Sequence, residues 1–322
     1  MDDKTKRRTL FFAGLGILGL GVGVGLSVAL VRHPVRLVKW YARRTLGRAG
    51  LQQHKVQCPE GQFSFFRSPE KDAPSTATVV LVHGLGGHAG NWFKTVSSLR
   101  EHDVVVVDLP GHGDCQLHDM DWSHDSAFEL FTALIDLATD EQPLILVGNS
   151  LGGWLSTLFA LAFPEKVRRL VLVNSAGLPF EYDRNLLLPQ TRDDARAVMD
   201  AVFGHDPPRV PGFLLDAMVR ESQQSPIARA LEVADEHPDV ADRLQDLRVP
   251  TDIIWGTEDT LIPLDHAHRF HREIPDSQLH FLAGSGHSPQ VADPKRFNRL
   301  LLEVLDRDLR RPASEPHPRA ID

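Results

Sequence analysis

Ser150 lies in Val147-Gly148-Asn149-Ser150-Leu151-Gly152-Gly153, directly after an apolar run, LILVG, and directly before a helical one, WLSTLFALAF. A serine between strand and helix must occupy a sharp turn, and glycines two residues to either side remove the side chains that would clash there. Such a turn lifts Oγ clear of a sheet. It also sets the serine at a helix N-terminus, where amide N–H groups and the dipole favour a developing oxyanion. The chemistry expected of Ser150 is therefore nucleophilic attack on a carbonyl carbon. A small-residue turn without chemistry is the plainer alternative, and the residues around Ser150 alone do not exclude it.

Three further segments supply what that attack needs. His83-Gly84-Leu85-Gly86-Gly87 ends the run TVVLVH. Its glycines let the backbone curl so that the Leu85 and Leu151 N–H groups face one oxygen. Trp255-Gly256-Thr257-Glu258-Asp259 ends TDIIW, and an acid there accepts from a histidine and fixes its tautomer. Asp259 is the choice because it is shorter and one residue further from the strand, with Glu258 in reserve. Gly284-Ser285-Gly286-His287-Ser288-Pro289 follows QLHFL, and a histidine on that loop is free to act on Ser150 as general base. The chain holds 16 histidines, so most are bystanders. His266, His268 and His271 cluster on a polar helical stretch without a carboxylate at ligand spacing, and are expected to be solvated rather than to bind metal.

Loops of this kind need a frame. Thr78–His83, Asp103–Leu109, Leu144–Gly148, Leu170–Asn174, Thr251–Trp255 and Gln278–Leu282 are short, continuous apolar runs. Runs of that type are buried on both faces, which predicts an α/β fold with a mostly parallel sheet between helices. Val56–Arg67 reads as an antiparallel hairpin at the sheet edge. No strand run occurs between Asn174 and Thr251. Helices are signalled there by Thr191-Arg192-Asp193-Asp194, by the stretch from Pro211 to Val219, and by residues 225–236. An insertion at that point reads as a helical cap over about 178–247, above the strand ends where ligands bind. The catalytic body spans 51–309, and the Pro-rich, charged tail 310–322 is expected to be disordered.

The 322 residues are 42% hydrophobic and 24% charged, with a net charge of −8 that hides an asymmetry. The first fifty residues hold ten Lys or Arg against two acids, which makes them +8 and the remainder −16. An acidic body argues against nucleic acid as partner, and a basic head suits a membrane. Leu10–Val31 is 22 residues without charge, spanning roughly 33 Å as a helix. It predicts an N-terminal transmembrane helix with a basic flank, residues 1–50 being the anchor. The flank RHPVRLVKWYARRTLGR is expected to lie along anionic head groups.

Within the run, Gly14-Leu-Gly16-Ile-Leu-Gly19 matches a dinucleotide-binding pattern. It has no preceding strand and is dismissed. Gly19/Gly23 and Gly21/Gly25 hint at helix self-association. Arg7-Arg8 resembles a twin-arginine export signal and Ser27-Val28-Ala29 a cleavage site. The basic residues Arg32, Arg36 and Lys39 favour instead a retained anchor and a cytoplasmic body. Cys58 and Cys115, the only cysteines, are expected to be reduced, packed thiols.

The order Ser150, Asp259, His287 is that of the α/β-hydrolase superfamily, which the chain from about Val56 to Arg307 resembles. The turn Asp108-Leu109-Pro110-Gly111-His112-Gly113 is part of that resemblance. The apolar head, GNSLGG, Asn174-Ser175-Ala176-Gly177 and VPTDIIWGTEDTLIP resemble membrane-bound monoacylglycerol lipases and related bacterial lipases and esterases. The resemblance implies a serine esterase acting on lipid-derived esters, without metal or organic cofactor. Met199, Val202, Phe203, Phe213, Leu214, Leu215 and Met218 then either line an acyl channel or pack cap to core. Capped C–C-bond hydrolases share the triad but take a polar diketone acid, which calls for a cationic pocket group. Arg192, Arg196 and Arg220 are the candidates. An acyltransferase would differ only in the acyl acceptor. A membrane-tethered scaffold on an inactive hydrolase fold is disfavoured because no triad member is missing.

Overall fold

The computed structural model describes residues 34–71, 76–118, 123–140, 142–223, 228, 231 and 240–310. The apolar run at 10–31, most of the helix expected over 225–236 and the tail beyond Arg310 lie outside the described residues. Among those described, no helix is long and apolar enough to cross a membrane.

Six parallel strands run from the centre to one edge of a nine-stranded sheet. Side by side they run β4 (Asp103–Val107), β3 (Thr78–Val82), β6 (Leu144–Asn149), β7 (Val167–Val173), β8 (Thr251–Gly256) and β9 (Ser277–Leu282). The chain goes from β3 outward to β4, then returns to the other side of β3 as β6. That reversal opens a crevice at the carboxyl ends of β3 and β6, the usual ligand position in such sheets. β1 (Gln52–Cys58) and β2 (Gly61–Arg67) form the edge hairpin, which starts four residues earlier than its apolar pattern suggests. The two-residue β5 (Gln116–Leu117) pairs with β2 and is too short to leave a sequence signal.

Burial on both faces follows the strand period of two. Val80, Val82, Val105, Val107, Leu146, Leu172 and Ile253 face one core. Helices α2 (His124–Ala138), α3 (Leu151–Ala162) and α7 (Asp265–Glu273) cover it with Phe131, Phe159 and Phe270. Val79, Leu81, Val106, Val147, Val173 and Ile254 face the other. That one is covered by α9 (Pro294–Arg310) with Phe297 and Leu301, and by α1 (Pro34–Arg48) with Leu46. The inserted helices between β7 and β8 are α4 (Arg184–Leu187), α5 (Arg192–Phe203) and α6 (Gly212–Gln223). As its sequence signals, α5 begins with a capping box: Asp194 N–H donates to Thr191 Oγ1, and Thr191 N–H to Asp194 Oδ2. Helix α8 (Pro289–Ala292) is a single turn.

Within the basic flank, residues 34–48 form α1, whose Ala42 and Leu46 supply an apolar stripe that docks it on the body. Exposed Arg36, Trp40, Arg44 and Arg48 occupy the opposite side. His266 is buried, edge-on to Phe180 at 5.3 Å, rather than solvated; His268 and His271 are exposed. Both cysteines are free thiols, and burial pushes the Cys115 thiol up to about 12, so it offers no competing nucleophile.

At the end of the sheet away from the crevice, Asp252 of β8 is wholly buried. Its carboxylate receives Arg169 at 2.5 Å, His280 at 2.8 Å and Arg307 of α9 at 2.8 Å. Burial alone would raise its pKa, but these three partners outweigh it and hold the carboxyl below its ordinary value. Asp252→Ala takes the shared carboxylate from two arginines and a histidine, and its stability in urea unfolding should drop by about 3–5 kcal/mol.

Candidate active site

Ser150 joins β6 to α3 with φ 56° and ψ −121°, and only Asn174 shares a positive φ among the described non-glycine residues. The conformation costs of order 1–3 kcal/mol and persists because neighbours over-determine it. Ser150 N–H donates to Val173 O at 3.1 Å, and Ser150 O accepts from Ala176 N–H at 3.1 Å. A Cβ on Gly152 would stand 2.6 Å from the carbonyl oxygen of His83, so only glycine admits the β3 loop so close. Among the described residues the Ser150 hydroxyl has no hydrogen-bond partner, and neither the Leu85 nor the Leu151 N–H has an acceptor.

The loop after β3 is held at both ends. Leu109 N–H donates to His83 Nε2 at 3.0 Å, so the ring proton is on Nδ1, which donates to Gly84 O at 2.7 Å. Gly87 N–H donates to the same carbonyl at 3.0 Å. Because a trans peptide sets C=O and N–H on opposite sides, pinning Gly84 O turns the Leu85 N–H the other way. A Cβ on Gly84 would lie 2.9 Å from Ser150 Cβ, so this loop abuts the serine. The Leu85 side chain packs against buried Leu231 of the insertion, as do Tyr182, Leu187 and Leu188.

His287 Nδ1 lies 2.8 Å from Asp259 Oδ2. A carboxylate only accepts, so Nδ1 carries the proton and Nε2 is left as the acceptor. The Asp259 carboxylate also accepts from Asn174 Nδ2 at 2.7 Å, Leu261 N–H at 2.8 Å and Ile262 N–H at 3.0 Å. Glu258, the reserve acid, is exposed.

β9 is three strands from β6, so the His287 loop must first cross the end of β8. It does so over Gly256, where a Cβ would stand 2.8 Å from the Ser285 carbonyl carbon. Asn149 then ties the loop to the serine's own strand, donating to Val173 O at 3.0 Å and His287 O at 3.1 Å. From above, α5 holds the loop. Gly286, His287 and Ser288 N–H groups donate to Phe203 O, Ala201 O and Val202 O at 3.2, 2.8 and 3.2 Å. These are carbonyls of the last helical turn, which have no partner within the helix.

The family model described as Alpha/beta hydrolase family matches residues 79–300. The chain belongs to the alpha/beta hydrolase family. This hydrolase is 27% identical to the monoacylglycerol lipase ABHD6 of Homo sapiens, over 84% of its own length and 86% of the relative. It is 29% identical to the 2-hydroxy-6-oxo-6-phenylhexa-2,4-dienoate hydrolase of Burkholderia cepacia, over 78% and 95%. The solved structure of a membrane phospholipase A superposes with a TM-score of 0.76 at 23% identity, covering 92% of this chain and 99% of that one. At that identity the likeness concerns the fold.

Sequence reading placed Ser150, His287, Asp259, Leu85 and Leu151 on loops at the carboxyl ends of the parallel strands, where the structure has them. It missed His83, Asn149 and Asn174 as the side chains that hold them. The signal available for Asn174 was an amide residue ending a strand, where Asn tolerates the left-handed conformation.

Three buried rings near the site favour the neutral form. Burial, with His112 adding, pushes His83 well below 6.5; burial and Arg43 lower His88 to about 3; burial lowers His112. Below about pH 6.5 the unfolded chain therefore binds more protons than the folded one, and stability is lost as pH falls. The unfolding free energy from urea titrations should hold steady from about pH 7 to 8, then fall below 6.5 with a slope approaching ~1.4 kcal/mol per pH unit for each ring. A flat profile down to pH 5 would contradict this.

Proposed function

We propose that this hydrolase is a serine esterase for lipid-derived carboxylic esters, monoacylglycerols foremost, working through Ser150, His287 and Asp259. The observation that carries the reading is the His287–Asp259 contact, on a loop tied through Asn149 to the strained serine turn. His287 Nε2 takes the Ser150 hydroxyl proton as Oγ bonds to the ester carbon. Asp259 holds the imidazolium, and the Leu85 and Leu151 amides receive the oxyanion. Collapse breaks the carbonyl–alkoxy bond, with the His287 proton leaving on the alcohol. Water, deprotonated by the same ring, then cleaves the acyl-enzyme. No step draws on a metal or organic cofactor.

A C–C-bond hydrolase would use the same residues, and one relative bears such a name. The cationic groups that a diketone acid needs are poorly placed here. Arg192 is an exposed residue engaged by Asp216, and Arg196 and Arg220 are exposed. Of the apolar insertion residues, Leu215 is buried and Phe213 is exposed, while Met199, Val202, Phe203, Leu214 and Met218 are half-buried, as suits an acyl-binding surface.

Purified full-length protein should hydrolyse monoacylglycerols and medium-chain p-nitrophenyl esters, with a diketone acid as the competing substrate. Ser150→Ala should lower kcat/KM by at least ~10⁴-fold. Equal activity in that variant, or turnover of the diketone acid alone, would sink the reading. Residues 10–31 are proposed as the membrane anchor. Removing residues 1–33 should move the protein from the membrane pellet to the supernatant after lysis, and an unchanged pellet fraction would count against the anchor.

A further inference from the structure

Asp108 follows β4, and its carboxylate has no exposed surface. Both oxygens are used: Oδ1 accepts from Ala89 N–H at 2.8 Å, and Oδ2 accepts from Asp114 N–H at 3.1 Å and from Arg43 Nη2 at 2.6 Å. Arg43 belongs to α1, outside the 79–300 stretch that matches the family. The hydrolase core thus buries a carboxylate whose counter-charge is delivered by a helix preceding that core. Arg43 is itself well placed: Nη1 is 2.6 Å from Asp114 Oδ2, and the guanidinium lies over the Phe66 ring at 5.8 Å. Ala42 and Leu46 anchor the helix beneath it, and Lys39 reaches Glu221 of α6 at 2.9 Å.

Asp108 and the next residue control the loop that carries Leu85. Leu109 N–H fixes His83 at the start of that loop, and Asp108 Oδ1 fixes Ala89 at its end. A Cβ on Gly113 would fall 2.6 Å from Arg43 Nη2, so the 108–114 turn closes tightly around the pair. We infer that Arg43 is a positioning residue for the reaction: by holding the Asp108 carboxylate, it fixes the loop bearing the Leu85 amide and makes α1 part of the catalytic unit. The inference rests on the serine-esterase reading. The Arg43 charge, paired with Asp108 and Asp114, holds the buried Asp108 carboxylate in place, and Ala89 follows. If the loop loosens, the donor to the oxyanion is displaced, while ground-state contacts of the substrate are little affected.

The test is steady-state ester hydrolysis by the full-length wild type, Arg43→Met and Arg43→Lys. Active sites are counted by stoichiometric reaction with a fluorophosphonate, so that kcat refers to competent molecules. Arg43→Met should lose about tenfold in kcat per site with KM within about threefold of wild type, a fraction of the loss from deleting an oxyanion donor. Arg43→Lys, which restores a charge against Asp108, should recover most of that loss. Where Arg43→Met gives no folded protein, Arg43→Gln keeps a donor without charge and should show a loss of at least about threefold in kcat alone. An unchanged kcat per site, a change confined to KM, or equal losses in the Met and Lys variants would overturn the inference. A wild type inactive on every ester would overturn the esterase reading and this inference together.

Discussion

The turn at Ser150 sets terms that the surrounding elements must meet. A non-glycine residue at φ 56° does not hold itself there, so its amide and carbonyl are tied to β7 and the segment after it. The helix that follows must begin at once, with Gly152 admitting the β3 loop against its first turn. A sheet with β6 between β3 and β7 satisfies both demands, and that is the observed order. The crevice and the unpaired amides then follow from one strained residue and its two flanking strands.

Much of this frame was legible because its physics is local. Strands buried on both faces must be continuously apolar, and the runs at 78–82, 103–107, 144–149 and 251–256 say so directly. The capping box at Thr191 was legible for the same reason. What escaped was set by distant partners. Asn149 and Asn174 look like ordinary turn residues until β7, β8 and the His287 loop are brought around them. His266 sits on a polar stretch but is buried by Phe180, from the far end of another connection. The basic flank read as lipid-facing because its charge dominates the local sequence; the Ala42/Leu46 stripe finds its purpose only against the body.

The relatives frame the chemistry without deciding the substrate. One has a name for monoacylglycerols and another for a diketone acid, at nearly the same identity. Under the proposed mechanism one turn, histidine and acid would serve either substrate, so selectivity would come from the insertion between β7 and β8. There the arginines lie outward, and the half-buried side chains are mostly aliphatic.

The three hydrogen bonds from residues 286–288 to the last turn of α5 have a consequence for how a substrate gets in. A helix that holds the histidine loop cannot swing aside as a simple gate, since each net bond given up costs about 0.5–1.5 kcal/mol and His287 leaves with it. The helix and the histidine loop are one moving part. Under the proposed mechanism, an ester bulky enough to wedge α5 outward would disarm the reaction it came for. Substrates would then be sorted by whether they let the helix settle back, a selection made in the rate of turnover rather than at the door.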